Sequence, residues 1–440
     1  MAAGRGGRPV PGRGRHRDGQ AARRGGIPSP RPAGGRPRPD SGGHRLGPRG
    51  AAHPVPGAAA GLLADPSHRR AGGGTAVKRV AVLAPAFLGP RGEPPVQGGA
   101  ERHLIELCRL LEERGYAVTL FQAAAHDFRA VHDGRVVHGL GPTVVQGGAW
   151  TVTNRRFRDA ARGYDHHLFH LWSMAYPEAP PGSVGVSHSL WWDDGAVVRR
   201  PVPNFTPRLR EALRNLAVVV ANDTNIINWV RATWPEMEGR FRFIPNFVDL
   251  AQFAPAPPRT HGGPLRVLVP CRLEPQKGLE PMLEAALMLT EQPGIEVHFV
   301  GPGPAEAVRR LQAVAAGRPA IRYRSRVMAE MPAEYRDADV VVIPSVATEG
   351  TSLSCLEAMA SGRPVVAGWV GGLSNLIIHE YNGLLLRPTA ANLAAAVRRL
   401  WQDGELRSRM AARAAEVARV HSLERWRRAW GEVLDECWGG

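Results

Sequence analysis

Lysine is nearly missing from this 440-residue chain: Lys78 and Lys277 are the only two, and every other cationic side chain apart from histidine is arginine. Long apolar runs are missing too. No stretch of about 20 apolar residues occurs, so nothing in the sequence reads as a helix spanning a bilayer. Cysteine is sparse. Cys108, Cys271, Cys355 and Cys437 are scattered, without metal-ligand spacing, and fit reduced thiols in a cytoplasmic protein. A D-x-D type carboxylate pair that would call for a metal is not evident, so neither a metal nor a resident cofactor is expected. The first strand lacks a following G-x-G-x-x-G, and the segment 301–306 (GPGPAE) lacks the third glycine, which argues against a dinucleotide-dependent oxidoreductase.

Residues 1–77 lack aromatics, lysine and glutamate altogether. They carry fourteen Arg against Asp18, Asp40 and Asp65, a net of +11 out of the chain's +16. Gly, Pro, Ala and Arg cannot bury enough apolar surface to offset the entropy of ordering, so a disordered tail is expected over 1–77. Such a tail could contact nucleic acid or an anionic membrane surface. Its composition also fits an upstream extension of an Arg-, Ala- and Gly-biased chain, with translation beginning after Met1. Ala58–Ala64 is too short, and too closely flanked by Pro and Gly, for a signal-peptide core. The location expected is cytoplasmic, with peripheral membrane contact left open.

From Arg79 onward, short apolar runs alternate with helical periods. Strands are expected at 79–85, 116–122, 168–172, 183–188, 217–221 and 241–245, with a helix from about Ala100 to Gly115. The segment 254–263 (APAPPRTHGG) reads as a linker. A second series follows, with strands at 265–271, 296–300, 321–324, 340–343 and 364–367. Its helices fall near 279–291, 304–316, 352–361, 390–402 and 405–419, and a last amphipathic helix spans about 422–437. Strands separated by helices imply parallel sheets covered on both faces. The expectation is therefore α/β: two doubly wound domains, 78–255 and 259–415, with 416–440 as a terminal helix. Ligands of such sheets sit beyond the carboxyl ends of the strands.

Three segments carry candidate chemistry. CRLEPQKG, Cys271 to Gly278, places Arg272 and Lys277 in one strand-end loop, and two cations there suit a diphosphate. In a chain so biased to arginine, a lysine at this spot suggests a need for a compact ammonium rather than a planar fork. TEGTSLSCLEAMASGRPVV, Thr348 to Val366, places Glu349 in a loop and Glu357 about two turns into the next helix, both able to face one cleft. The amides of Thr351, Ser352 and Leu353 lie at that helix start, where phosphate is favoured. VQGGAERH, Val96 to His103, has paired glycines before a helix, which lets a backbone approach a ligand closely. Both glutamates could equally serve as a helix cap and a surface side chain, and the glycine pair as a plain turn.

Together these segments resemble the retaining glycosyltransferases of family 4, which have the GT-B fold. The resemblance spans about Lys78 to Gly440 and rests most firmly on CRLEPQKG with the glutamates spaced E-x7-E. IPNFVD (Ile244–Asp249), FVGPGP (Phe299–Pro304) and GGLSNLI (Gly371–Ile377) resemble family segments in the same order. It implies two facing Rossmann-like domains, an acceptor side at 78–255, a donor domain at 259–415, and a final helix crossing back to the first domain. It implies that Arg272 and Lys277 hold a donor diphosphate, that Glu349 lies near the donor sugar, and that Glu357 bonds ribose hydroxyls. Gly98 and Gly99 would close over the phosphates, the stretch Gly350, Thr351, Ser352, Leu353 would complete the donor site, and His188 would be an active-site histidine beside the sugar. Three positions depart from the family pattern: Gly350-Thr351-Ser352 where Gly-Phe-Gly is common, Phe247 in place of Gly, and Asn375 in place of Glu.

The activity so implied is transfer of a hexose from a nucleotide diphosphate sugar to an acceptor hydroxyl with retention, the acceptor being a glycan, a lipid or a small molecule. A nucleotide-sugar epimerase on the same fold, and a nucleic-acid-binding protein acting through the basic tail, are the competing readings. His170 reads as structural or as lining the acceptor side. Trp191–Trp192 with Asp193–Asp194 could form an acceptor wall or belong to the core.

Overall fold

Runs such as VVVA and VVVI have no polar side to show to water, and in the computed structural model they become strands buried on both faces. The structure describes residues 77–94, 98–143, 150–190, 192, 206–257, 263–291, 293–347 and 349–439. These fall within one compact unit, 66–440. The expectations for the tail before residue 77, and for Val96, Thr348, Trp191, Asp193 and Asp194, lie outside the described residues.

The first sheet has eight strands: β1 (Arg79–Ala84), β2 (Ala117–Ala123), β3 (Phe128–His132), β4 (Arg135–Leu140), β5 (His166–Phe169), β6 (Val184–Ser187), β7 (Val218–Ala221) and β8 (Phe241–Phe243). Their order is β3-β4-β2-β1-β5-β6-β7-β8. The sheet is not wholly parallel, as the alternation of strand and helix had implied. β3 and β4 form an antiparallel hairpin at one edge. Its turn is Asp133–Gly134, with φ of 49° and 76°, the left-handed pair that two-residue hairpins require. The second sheet is all parallel: β9 (Leu265–Pro270), β10 (Ile295–Val300), β11 (Ile321–Arg324), β12 (Val340–Ile343), β13 (Val365–Gly368) and β14 (Gly383–Leu386), in the order β11-β10-β9-β12-β13-β14.

In the first sheet the chain runs outward one way from β1 and the other way from β5. In the second it reverses between β9 and β12. At each reversal two strand-end loops diverge and leave a crevice. The loops after β9 and β12 are the CRLEPQKG and TEGTS segments, so topology alone brings the two strongest motifs together.

Four helices shape this crevice and tie the chain end to the first sheet: α1 (Gly99–Glu113) after β1, α2 (Met331–Arg336) and α3 (Leu353–Ala360) around β12, and α4 (Leu423–Trp438) at the chain end. Because α3 begins at Leu353, Glu357 lies one turn into it rather than two. Ser422 caps α4 by accepting from the Arg425 amide. The chain just before α4 pairs with the segment after β8: Val248 donates to His421 O at 2.9 Å and Leu423 to Val248 O at 3.0 Å. From there α4 lays Trp426, Trp430, Val433, Leu434 and Trp438 into the core of the first sheet, against Val80, Leu104 and Leu111. Arg427 fixes the register by pairing with Glu106 and Glu113 of α1.

Candidate functional site

A cleft of about 610 Å³ opens at the reversal between β9 and β12 and is roofed by the start of α1. Its walls include Gly98, Gly99, Arg272, Lys277, Glu349, Ser352, Leu353 and Glu357. Gly350, Thr351 and His188 do not line it; they lie behind its wall, against one another.

Lys277 sits in a single 3-10 turn, 275–277, closed by Gly278. Gly278 has φ of 74°, and a Cβ there would fall 1.9 Å from the Pro344 carbonyl oxygen, so only glycine lets the β9 loop lie this close to the β12 loop. That proximity gives Lys277 its partner: Nζ donates to Glu349 Oε2 at 2.7 Å. Ser345 Oγ donates to the same oxygen at 2.7 Å. Glu349 therefore does not cap α3; it accepts from an ammonium and a hydroxyl, and the Gly372 amide donates to its main-chain carbonyl at 2.8 Å. Arg272 is looser, 3.4 Å from Glu274, with 44% of its side chain exposed into the cleft mouth. Across from it stands Gly98, whose absent Cβ would lie 3.8 Å from the Arg272 guanidinium carbon.

Glu357 is not a surface residue, at 2% exposure. One oxygen accepts from Arg102 Nη2 at 2.5 Å, and the other accepts from the Tyr335 hydroxyl at 2.8 Å. Arg102 is on α1 and Glu357 on α3, so this pair joins the two halves of the molecule. Burial, and next the Glu357 charge, push the Tyr335 phenol well above its ordinary value, so it stays protonated and donates. Burial likewise holds the Cys271 thiol up at about 12, neutral beside the cations.

Behind Gly350, three histidines meet. His103 Nδ1 and His170 Nε2 are 3.1 Å apart, and the His188 ring lies 4.4 Å from that of His170, centre to centre. His103 and His170 are buried, which holds both well below the usual imidazole range; burial also brings His188 to about 4. All three are neutral near pH 7. Among the described residues these rings are the one group close enough to be weighed as a metal set. His103 and His170 each spend a ring nitrogen on the other, and His188 Nδ1 lies 3.0 Å from the Asn222 amide nitrogen. Trp192 packs edge-on to Trp229, 5.1 Å between centres, as a core residue does.

Sequence reasoning missed Arg102 and Ser345 in the cleft, Tyr335 buried beneath Glu357, and Asn222 and Asn246 behind the wall. Arg102 carried a signal, being the cation that follows the paired glycines by one helical turn. Asn246 lay within the quoted segment IPNFVD, and Asn222 carried no signal. Two of the positions that depart from the family pattern join the two halves. Thr351 Oγ1 donates to Asn222 O and accepts from the Asn246 amide, each at 2.7 Å. Asn375 accepts from the Thr224 amide at 3.1 Å and donates to its hydroxyl at 2.7 Å.

Comparison with known proteins finds two family models along the chain. Residues 97–252 match "Glycosyltransferase Family 4" and residues 264–403 match "Glycosyl transferases group 1". A D-inositol 3-phosphate glycosyltransferase of Kineococcus radiotolerans is 30% identical over 412 residues, covering 78% of this chain and 92% of the relative. Among solved structures, a sucrose-phosphate synthase from Thermosynechococcus elongatus superposes with a TM-score of 0.64 at 21% identity, covering 82% of this chain and 98% of that one. The Anabaena protein HepE in complex with UDP-glucose superposes with a TM-score of 0.62 at 17% identity, covering 81% and 99%.

Proposed function

We propose, for a chain that belongs to the family 4 glycosyltransferases, that the cleft between β9 and β12 takes the donor, a nucleotide diphosphate sugar, and that a hexose leaves it for an acceptor hydroxyl with retention. The fold is GT-B: two α/β domains with parallel-rich sheets and a last helix that returns to the first. The protein is an enzyme, a glycosyltransferase. No helix among the described residues is long and apolar enough to cross a membrane.

The observation that carries the donor assignment is the convergence of Arg272 and Lys277 on one cleft with the amide-bearing start of α3. Breaking the bond from the anomeric carbon to the diphosphate leaves negative charge on the departing oxygen. Two cations and the amides of Ser352 and Leu353, all lining that cleft, would stabilise that charge, and fixed groups of this kind are where much catalytic power arises. Glu349, engaged by Lys277 and Ser345, orients the ammonium and in this reading would stand on the sugar side. Glu357 would exchange its Arg102 bond for ribose hydroxyls. Val327, Met328 and Met331 offer apolar surface for a base ring. The donor complex named for the Anabaena protein is in keeping with this reading. The acceptor, a glycan, lipid or small molecule carrying a hydroxyl, would enter over the loops of the first sheet.

The test is calorimetric titration with UDP, GDP, ADP and TDP, after a thermal-shift panel of the matching sugars. One nucleoside diphosphate should bind, and Lys277→Ala should weaken it more than it weakens the monophosphate. Equal diphosphate affinity in wild type and Lys277→Ala would remove this loop from the donor site.

A further inference from the structure

We infer that Asn222, Asn246 and Thr351 act as positioning residues that fix the tautomer of His188, holding its proton on Nε2, through a hydrogen-bond chain that crosses from one domain to the other. The chain starts from a group that cannot be misread. The Thr351 main-chain carbonyl only accepts, and a side-chain amide atom of Asn246 lies 2.6 Å from it, so that atom is the nitrogen. Asn246 must then turn its oxygen the other way. That oxygen only accepts, and it lies 3.1 Å from the Asn222 side chain, so Asn222 presents its NH2 there. The same NH2 stands 3.0 Å from His188 Nδ1. An amide nitrogen has no lone pair to offer, so Nδ1 accepts and is bare. The ring is neutral, and its one proton is on Nε2.

A second set of contacts holds the first. Thr351 Oγ1 accepts from the Asn246 main-chain amide and donates to the Asn222 carbonyl, each at 2.7 Å. Gly350 presses on the same place: a Cβ there would sit 2.1 Å from the His188 carbonyl oxygen. Asn222 and Asn246 follow β7 and β8 of the first sheet, while Thr351 precedes α3 of the second. The other rings about it carry no charge: His103 meets it edge-on at 5.0 Å and His170 at 4.4 Å, both neutral, and no group among the described residues accepts a hydrogen bond from Nε2.

His188 is thus an N–H donor that works only while the two domains stay closed on Thr351. Opening the cleft removes Thr351, frees Asn246 and Asn222 to rotate, and releases the tautomer. That the donor N–H serves the reaction rests on the reading of His188 as the histidine beside the sugar; the tautomer itself does not.

The experiment is long-range proton–nitrogen correlation on full-length protein labelled with nitrogen-15 in histidine, the His188 signals being identified by their loss in His188→Asn. Wild type should give the Nε2–H pattern. Thr351→Val should give an averaged pattern, Thr351→Ser should restore the wild-type one, and Asn222→Asp should move the proton to Nδ1. A merely structural role would shift melting in these variants and leave the tautomer alone. An Nδ1–H pattern in wild type, or an unchanged pattern in both Thr351→Val and Asn222→Asp, overturns the inference. Transfer rates are measured alongside. Thr351→Val should lower kcat with little change in donor KM, and Thr351→Ser should recover it. A tautomer that behaves as stated with kcat unmoved would leave the inference standing and remove His188 from the reaction.

Discussion

Glu357 has both oxygens engaged before any ligand arrives, one by Arg102 and one by Tyr335. A carboxylate held this way at 2% exposure is not free to turn, so under the proposed donor site a ribose would have to replace Arg102 rather than recruit a loose side chain. Glu357→Gln keeps the shape and the Tyr335 bond but loses charge assistance. Donor affinity should fall by roughly 1.5–3 kcal/mol, the usual worth of a hydrogen bond to a charged group. Calorimetry against the preferred donor, with a thermal melt as control, checks this. A large drop in melting with donor affinity unchanged would make Glu357 a structural strut. The spacing of Glu349 and Glu357 was readable in the sequence because both lie in one segment. The pairing of Glu357 with Arg102 was not, because the two lie 255 positions apart and no local pattern reports which helix faces which.

At the scale of elements, the apolar periodicity of α4 was plain, and the structure shows what it is for. Trp430 is fully buried between α1 and the first sheet, 5.9 Å from the His103 ring, centre to centre. Trp430→Ala should cost about 3–5 kcal/mol, the range for deleting a large aromatic from a packed core. Urea unfolding followed by circular dichroism measures it, and a loss under about 1 kcal/mol would mean that α4 only rests on the sheet. The sequence reading passed over the hairpin β3–β4 as well as β14, although for the hairpin Asp133–Gly134 flanked by alternating residues is a strong local sign. It escaped because the surrounding strand–helix rhythm suggests parallel pairing, and short edge strands with one exposed face lack the apolar runs that marked β7 and β12.

For the whole molecule, the basic tail stands apart by composition. A chain beginning near Thr75 should melt cooperatively and keep its transfer activity, because the residues before it contribute Arg, Gly and Pro but no aromatic side chain. Loss of cooperative melting in that shorter chain would overturn this. The pairing of the two strand-end loops was foreseeable from topology, since both follow strands of one doubly wound sheet. The hydrogen-bond chain through Thr351 was not, because it joins residues whose proximity depends on how the two domains meet.

The return of α4 also sets an order of events during synthesis. Residues 79–243 supply every strand of the first sheet, yet one face of that sheet is closed by Trp426, Trp430 and Trp438. A ribosome delivers those side chains after every strand of both sheets and keeps the newest part of the chain in its exit tunnel. The first domain to emerge must therefore wait, one apolar face open, through synthesis of the entire second domain. It is finished only once α4 has emerged and docked. Through that interval the nascent protein offers a binding surface to chaperones that its finished form does not have.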